Sequence, residues 1–374
     1  MEGPCTARPE DLPSLVALTN QVFRPQPRPG DMGREFPVLL SAANAGNLHV
    51  FRDAGRVVSH VGVLRQRICT LGVEIPVACI GAVCTDPKYR KGGLAGQLMD
   101  RAIKAARDNC DVLMPISGKR TLYVSRGATS LGPQVRLKVP LSQAEAPDSR
   151  FHVRTYSPGD WSQLAGLQQT EPIRYQWGER EPCLLEAIRG FGGICLLASD
   201  RADGLSAALV FCVGHPMYGG EDGSGRVIQF LGDPQAIPAL LASAASHYRL
   251  TSLDWYVLTT AQPAVAQRLL AAGATGKASI TGWTIVILDL PRLIEKVGPV
   301  AARAGVELAV KDGRLIVAAE GKSVSLAQPD QQVEILFRHA GTWSAELACL
   351  PVELRTACSV GLPIPLPDYG VNYV

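Results

Sequence analysis

The chain has 374 residues, of which 47% are hydrophobic and 19% charged, with a formal net charge of +3. That length exceeds a single small domain and leaves room for two or three. So small a charge gives no sign of a nucleic-acid partner, and no apolar run approaches the ~18 residues of a membrane helix.

The N-terminal Met1-Glu2-Gly3-Pro4 lacks the basic-then-apolar pattern of a secretion signal, so a cytoplasmic protein with no membrane partner is expected. Its ten cysteines are scattered, mostly within apolar runs, and never form Cys-x-x-Cys; buried reduced thiols are expected rather than a disulfide scaffold. The first helix is expected from Asp11, with Leu12, Leu15, Val16, Thr19, Val22 and Phe23 on one face. A proline-rich stretch from Phe23 to Pro37 follows, carrying Arg24, Arg28, Arg34, Asp31 and Glu35.

Asn47 to Asp53, Arg56 to Leu71 and Val73 to Thr85 read as successive strands, with turns at Asp53-Ala54-Gly55 and Leu71-Gly72. A hairpin at Leu71-Gly72 makes opposed residues sum to about 143 or 144, which puts His60 across from Val83. The third strand ends at Asp86-Pro87. Arg90, Lys91, Gly92 and Gly93 come next, and then Leu94, Leu98, Met99, Ala102, Ile103 and Ala106 recur at helical spacing. A glycine turn between strand and helix points bare amides outward at the positive end of the helix dipole, where a pyrophosphate can sit. Asp111 to Ser117 reads as a further strand, and Arg120 to Arg126 as a short helix ending at Gly127.

Much of this order recurs. Asp160 to Leu167 echoes the first helix, Asp233-Pro234 echoes Asp86-Pro87, and Arg268 to Thr275 echoes Leu122 to Thr129, all at nearly one offset. The second copy lacks the basic residues and paired glycines, so only the first is expected to hold a ligand. Beyond residue 290 the pattern changes to a small α+β unit: a short helix over Pro291 to Val297, strands at Val306 to Val310 and Leu315 to Ala319 around Asp312-Gly313, and a strand at Val333 to Phe337. The last residues, Gly361 to Val374, are Pro-rich but apolar and aromatic, as a docking tail would be.

Other signals fail. Gly321-Lys322-Ser323 lacks the first glycine of a phosphate-binding loop, with Ile316 in its place, and the Gly190 to Gly193 run has Cys195 where a dinucleotide fingerprint needs glycine. Cys212 and His215 have metal-like spacing without a second pair, so no metal is expected.

Arg90-Lys91-Gly92-Gly93-Leu94-Ala95 resembles the Arg/Gln-x-x-Gly-x-Gly/Ala signature of the GNAT N-acetyltransferase superfamily, and Leu122 to Ala128 resembles that superfamily's helix ending in a Gly-aromatic pair, with Ala128 in the aromatic position. The layout resembles the enhanced intracellular survival (Eis) branch. The resemblance implies an α/β (α+β) chain of two tandem GNAT folds, the second degenerate, followed by a sterol-carrier-protein-like domain. The corresponding boundaries are a catalytic domain at 1–145, a degenerate one at 146–290 and a third at 291–374.

It also implies direct acetyl transfer from acetyl-CoA to a primary amine such as an aminoglycoside, polyamine or lysine, and a homo-oligomer of up to six copies. Pyrophosphate would rest on Arg90, Lys91, Gly92, Gly93, Leu94 and Ala95, and pantetheine beside Val83, Cys84 and Thr85. Tyr123 would be the general acid and the terminal carboxylate on Val374 the base. Reasoning from the residues alone, Val83 offers the oxyanion donor and His60 is a rival base, because Glu74 is nine residues, about 30 Å of strand, from Val83. The resemblance further implies that the stretch between the first two helices, here Phe23 to Pro37, covers the acceptor; being mixed and slightly basic, it disfavours a polycation.

Overall fold

The computed structural model describes residues 1–25, 30–118, 120–143, 149–177, 188, 190, 192–200, 204–213, 223–257, 262–280 and 283–367. Among them are three sheets. The first begins with β1 (Glu2–Thr6), β2 (Leu48–Asp53), β3 (Arg56–Thr70) and β4 (Val73–Thr85), joined antiparallel in that order. Helix α1 (Leu12–Phe23) and the single turn α2 (Met32–Glu35) separate β1 from β2. Leu71 (φ 49°) and Gly72 (φ 83°) make the expected tight turn between β3 and β4. The glycine helix α3 (Leu94–Asp108) crosses to β5 (Leu113–Ile116), which lies parallel to β4; α4 (Thr121–Val124) and β6 (Thr129–Ser130) follow.

The second unit repeats this order with β8 (Phe151–Thr155), α5 (Trp161–Thr170), β10 (Gly193–Asp200), β11 (Gly204–Val213), β12 (Ser224–Gly232), α6 (Ile237–Tyr248), β13 (Ser252–Val257), α7 (Pro263–Ala271) and β14 (Thr275–Ile280). A short β9 (Ile173–Tyr175) adds to β3 instead. Two strands trade places between the units. β7 (Pro133–Pro140), which follows β6, lies in the second sheet between β13 and β14, while β15 (Thr284–Ile287), which follows β14, lies in the first between β5 and β6. A sequence boundary at 145 therefore leaves β7 on one side and its hydrogen-bonding partners on the other.

The last unit has α8 (Leu290–Arg303), a meander of β16 (Glu307–Lys311), β17 (Arg314–Ala319) and β18 (Lys322–Leu326), then α9 (Pro329–Phe337), α10 (Ala345–Ala348) and α11 (Val352–Gly361). Asp312 and Gly313, both at positive φ, turn β16 into β17 as expected, and Glu320 and Gly321 turn β17 into β18. The Gly321 region is thus a hairpin.

Two expectations are corrected. Val333 to Phe337 is helical rather than extended, because Pro329 opens a helix and Val333, Leu336 and Phe337 bury one face. The helix expected at Pro291 to Val297 runs on to Arg303.

The third unit has no core to itself: Leu293, Val297, Val317 and Leu336 pack in one cluster with Leu15, Val50, Ile68 and Ile75 of the first. The opposite face of the first sheet is covered by α3 through Leu94, Leu98, Met99 and Ala102. No helix among the described residues is long and apolar enough to cross a membrane.

Candidate active site

Strands β4 and β5 pair at Val77 with Leu113 and at Ile80 with Ile116, and no further. Beyond Ile80 they diverge. The gap opens into a pocket of about 280 Å³ lined by Gly81, Ala82 and Val83 from β4, Ser117, Gly118, Arg120 and Tyr123 from the β5 side, and Phe23, Arg24, Met32 and Phe36 from the α1–α2 region.

A bulge shapes the β4 wall. Gly62 pairs with Gly81 but His60 pairs with Cys84, so Ala82 and Val83 together oppose Val61, and Ala82 adopts φ 51°. The inserted residue moves His60 from opposite Val83, its expected place, to opposite Cys84. Its imidazole is fully buried, and Nδ1 lies 2.8 Å from the Ala82 carbonyl oxygen. Burial pushes the His60 pKa down to about 4, leaving the ring neutral in ordinary buffer. His60 does not line the pocket.

Tyr123 is buried on α4, its ring 3.4 Å from where a Cβ on Gly118 would stand. The helix is short but tied at its C-terminal end. Its terminus closes through Gly127 (φ 83°), with the Ala128 N–H donating to the Tyr123 carbonyl at 3.1 Å, while Arg126 donates to Asp100 and to the Gly96 carbonyl on α3. On the opposite wall, Asn20 donates to Asp31 and accepts from the Met32 N–H, and Asp31 caps α2 through the Arg34 N–H. That clamp sets Met32 and Phe36 against the pocket. Behind them Arg24 and Glu35 form a buried pair, with Arg24 Nε 3.0 Å from each carboxylate oxygen.

At the pocket's neighbouring edge, Asp86 caps the turn through the Lys88 N–H, Arg90 donates to the Thr85 carbonyl at 3.1 Å, and the chain enters α3 through Lys91 (φ 69°) and Gly93 (φ 74°). No side chain caps the start of α3, and a Cβ on Gly93 would meet nothing within 4 Å. The first-turn amides therefore face open space at the positive end of a 15-residue helix, flanked by the exposed Arg90 and Lys91. Gly92 and Ala95 belong to this turn, whereas the Leu94 side chain is buried against the sheet and only its backbone is available.

Cys84 is also buried, its thiol pushed up to about 12, and Thr85 shares a hydrogen bond with Ser59. On the β5 side, 81–85 have no strand partner among the described residues, which leaves a backbone edge for an extended ligand. Val374 and His215 lie outside the described residues.

Residues 5–129 match the family model of the acetyltransferase (GNAT) domain. Residues 5–129 form a GNAT acetyltransferase domain. That domain marks the protein as an acyl-CoA-dependent acetyltransferase.

Three solved structures share the fold over nearly their whole length. A GCN5-related N-acetyltransferase from Anabaena variabilis superposes with a TM-score of 0.69 at 15% identity, covering 97% of this chain and 98% of its own. One from Kribbella flavida gives 0.67 at 16%, covering 99% and 97%. Eis1 from Mycobacterium abscessus gives 0.63 at 11%, covering 98% of each chain. No curated protein sequence matches the chain.

The stretch from Phe23 to Pro37, expected over the acceptor, supplies Phe23, Arg24, Met32 and Phe36 to the pocket lining. The bulge, by contrast, had no signal beyond the small residues Gly81 and Ala82.

Proposed function

We propose that the protein transfers the acetyl group of acetyl-CoA directly to a primary amine in the pocket between β4 and β5. The observation that carries this reading is the convergence of three features on one gap: the uncapped α3 N-terminus, the unpaired edge of 81–85, and the buried Tyr123. In this reading Arg90, Lys91 and the amides from Gly92 to Ala95 hold pyrophosphate, and Val83, Cys84 and Thr85 pair with pantetheine. The amine attacks the thioester carbon, the Val83 N–H stabilises the oxyanion, and Tyr123 returns a proton to the departing thiolate. The terminal carboxylate of Val374 takes the amine proton.

Two tandem GNAT folds, the second without a cradle, and a sterol-carrier-protein-like third unit fit the repeated strand order and the blank turn at Asp233-Pro234. The acceptor reading follows from the walls. Phe23, Met32, Phe36 and Ile80 are apolar, the charged lining side chains are Arg24 and Arg120, and the Glu35 carboxylate is committed to Arg24. An amine on an apolar body suits such walls better than a polycation does.

A panel of arylalkylamines, polyamines, aminoglycosides and lysine peptides, assayed for CoA release, tests this. Turnover should be highest with arylalkylamines, and Tyr123→Phe should remove it while leaving acetyl-CoA binding within a few-fold. A silent panel with intact CoA binding would make the chain an acyl-CoA-binding module, and efficient acetylation of several aminoglycosides would overturn the acceptor class.

A further inference from the structure

His60 is a buried ionisable group beside the reacting strand that the mechanism above leaves unused. We infer that His60 is a positioning residue: its Nδ1–H holds the carbonyl of Ala82, and through it the bulge that presents the Val83 amide to the acetyl oxygen. This rests on the acetyltransfer reading for its kinetic consequence but not for its structural content.

Three observations meet here. Ala82 sits at φ 51°, a conformation that costs an L-residue with a Cβ about 1–2 kcal/mol and persists only where surroundings hold it. The bond from His60 to the Ala82 carbonyl is 2.8 Å long and spans the two strands at the point where their register slips. Room for the ring is reserved: a Cβ on Gly62 would lie 3.0 Å from His60 Cε1 and 3.0 Å from the Gly81 carbonyl oxygen. A carbonyl can only accept, so the neutral ring must carry its proton on Nδ1. Nε2 then has no donor to offer, and it has no hydrogen-bond partner among the described residues. A ring so placed is fully buried and outside the pocket lining, which suits a brace and not a base that must reach the amine.

The bulge decides where the Val83 N–H points. Displacement of a catalytic donor by about 1 Å costs on the order of a hundredfold in rate. His60→Leu, which keeps volume and removes the donor, should lower kcat by about 30- to 100-fold with KM for acetyl-CoA changed less than about threefold. His60→Asn places an amide N–H near the position of Nδ1 and should recover most of the loss. Undiminished kcat in His60→Leu overturns the inference, as does an Asn variant as slow as Leu, which would give the ring a role of its own.

A measurement on the unaltered protein stands whether or not those variants fold and whether or not any amine is turned over. Nitrogen-15 spectra of the histidine rings should show His60 protonated at Nδ1 and bare at Nε2 at pH 7. The opposite tautomer would remove the bond to Ala82 and end the proposal. A wild-type enzyme silent with every amine but showing the Nδ1 tautomer would instead refute the acetyltransfer reading and leave the brace standing.

Discussion

Buried side chains of the first unit behave differently according to whether they are charged or neutral. Arg24 and Glu35 are almost wholly out of water, with side chains 3% and 0% exposed. Removing one partner leaves the other buried and uncompensated, which costs about 3–5 kcal/mol, far more than the pair contributes over an apolar substitute. Glu35→Gln should accordingly lower urea-unfolding stability by about 3 kcal/mol, and the pocket wall from Phe23 to Phe36 should loosen with it. A change under 1 kcal/mol would show that water reaches the pair.

His49 and His60 are buried neutral instead. Desolvation pushes each down to about 4, with the Arg101 charge adding to His49, while the bond to Ala82 partly opposes the shift at His60. Their folded pKa values are depressed, so between pH 6.5 and about 4 the unfolded chain binds protons that the folded chain refuses. Stability is fully present above pH 6.5 and falls as pH drops through that window, by up to about 3 kcal/mol per ring. The salt-bridged Asp11 is depressed and adds its loss only below its ordinary range, near pH 4; buried Asp111 and half-buried Glu171 are raised and work in the opposite direction. Urea midpoints measured from pH 7.5 to 4.5 should fall steadily, and His49→Leu should flatten the slope. A flat profile in the unaltered chain would mean that the rings are solvated.

At the scale of elements, the exchange of β7 and β15 makes the two large units depend on one another. β15 covers the outer edge of β5, and its Thr284 hydroxyl donates to the Gly118 carbonyl at 2.8 Å, so a strand from the second half of the chain fixes a wall of the pocket in the first. Residues 1–145 expressed alone would expose the β5 edge and carry β7 with no sheet to join. That fragment should be insoluble or fail to bind acetyl-CoA, and co-expression with 146–374 should restore both properties. A soluble, CoA-binding fragment would show that β7 can fold back into the gap left by β15.

The exchange also marks the limit of what the sequence shows. The β3–β4 hairpin, the glycine helix and the Asp312-Gly313 turn were legible because turn chemistry and periodicity are local. Alternation in 133–140 and 284–287 is the same whichever sheet the strand joins, so sheet membership was not legible. Val333 to Phe337 misled for a related reason: five mostly apolar residues fit a buried strand or one helix face equally well. The cradle at Arg90 to Ala95 was legible as backbone chemistry, whereas the bulge at Ala82 depends on a register summed over two strands.

For the whole molecule, the C-terminal segment joins the third unit to the first. Leu362, Ile364 and Leu366 are buried in the core shared by the two units, the Ile364 N–H donates to the Leu336 carbonyl, and Thr70 at the far end of β3 donates to the Pro365 carbonyl at 2.6 Å. The segment through Leu366 is thus an anchor, and the proposed chemistry falls on the residues beyond it. Pro365 is held beside the Thr70–Val73 end of the hairpin, ten strand residues from Val83, at most about 33 Å and less where twist and bulge shorten the strand, and residues 366–374 span up to about 32 Å when extended. A carboxylate on Val374 comes within reach of the amine only if those residues take a nearly straight path toward the pocket.

Two deletions separate the roles. Removing 372–374 spares the apolar anchors, so stability should be unchanged, acetyl-CoA affinity nearly so, and kcat lowered by about 10²-fold or more, as expected for loss of a general base. Removing 362–374 exposes the three anchor sites as well and should cost about 5 kcal/mol, at roughly 1.5–3 kcal/mol per buried side chain. If the short deletion leaves kcat intact, the amine proton leaves through water rather than the tail, and the segment's contribution is the packing of Leu362, Ile364 and Leu366 alone.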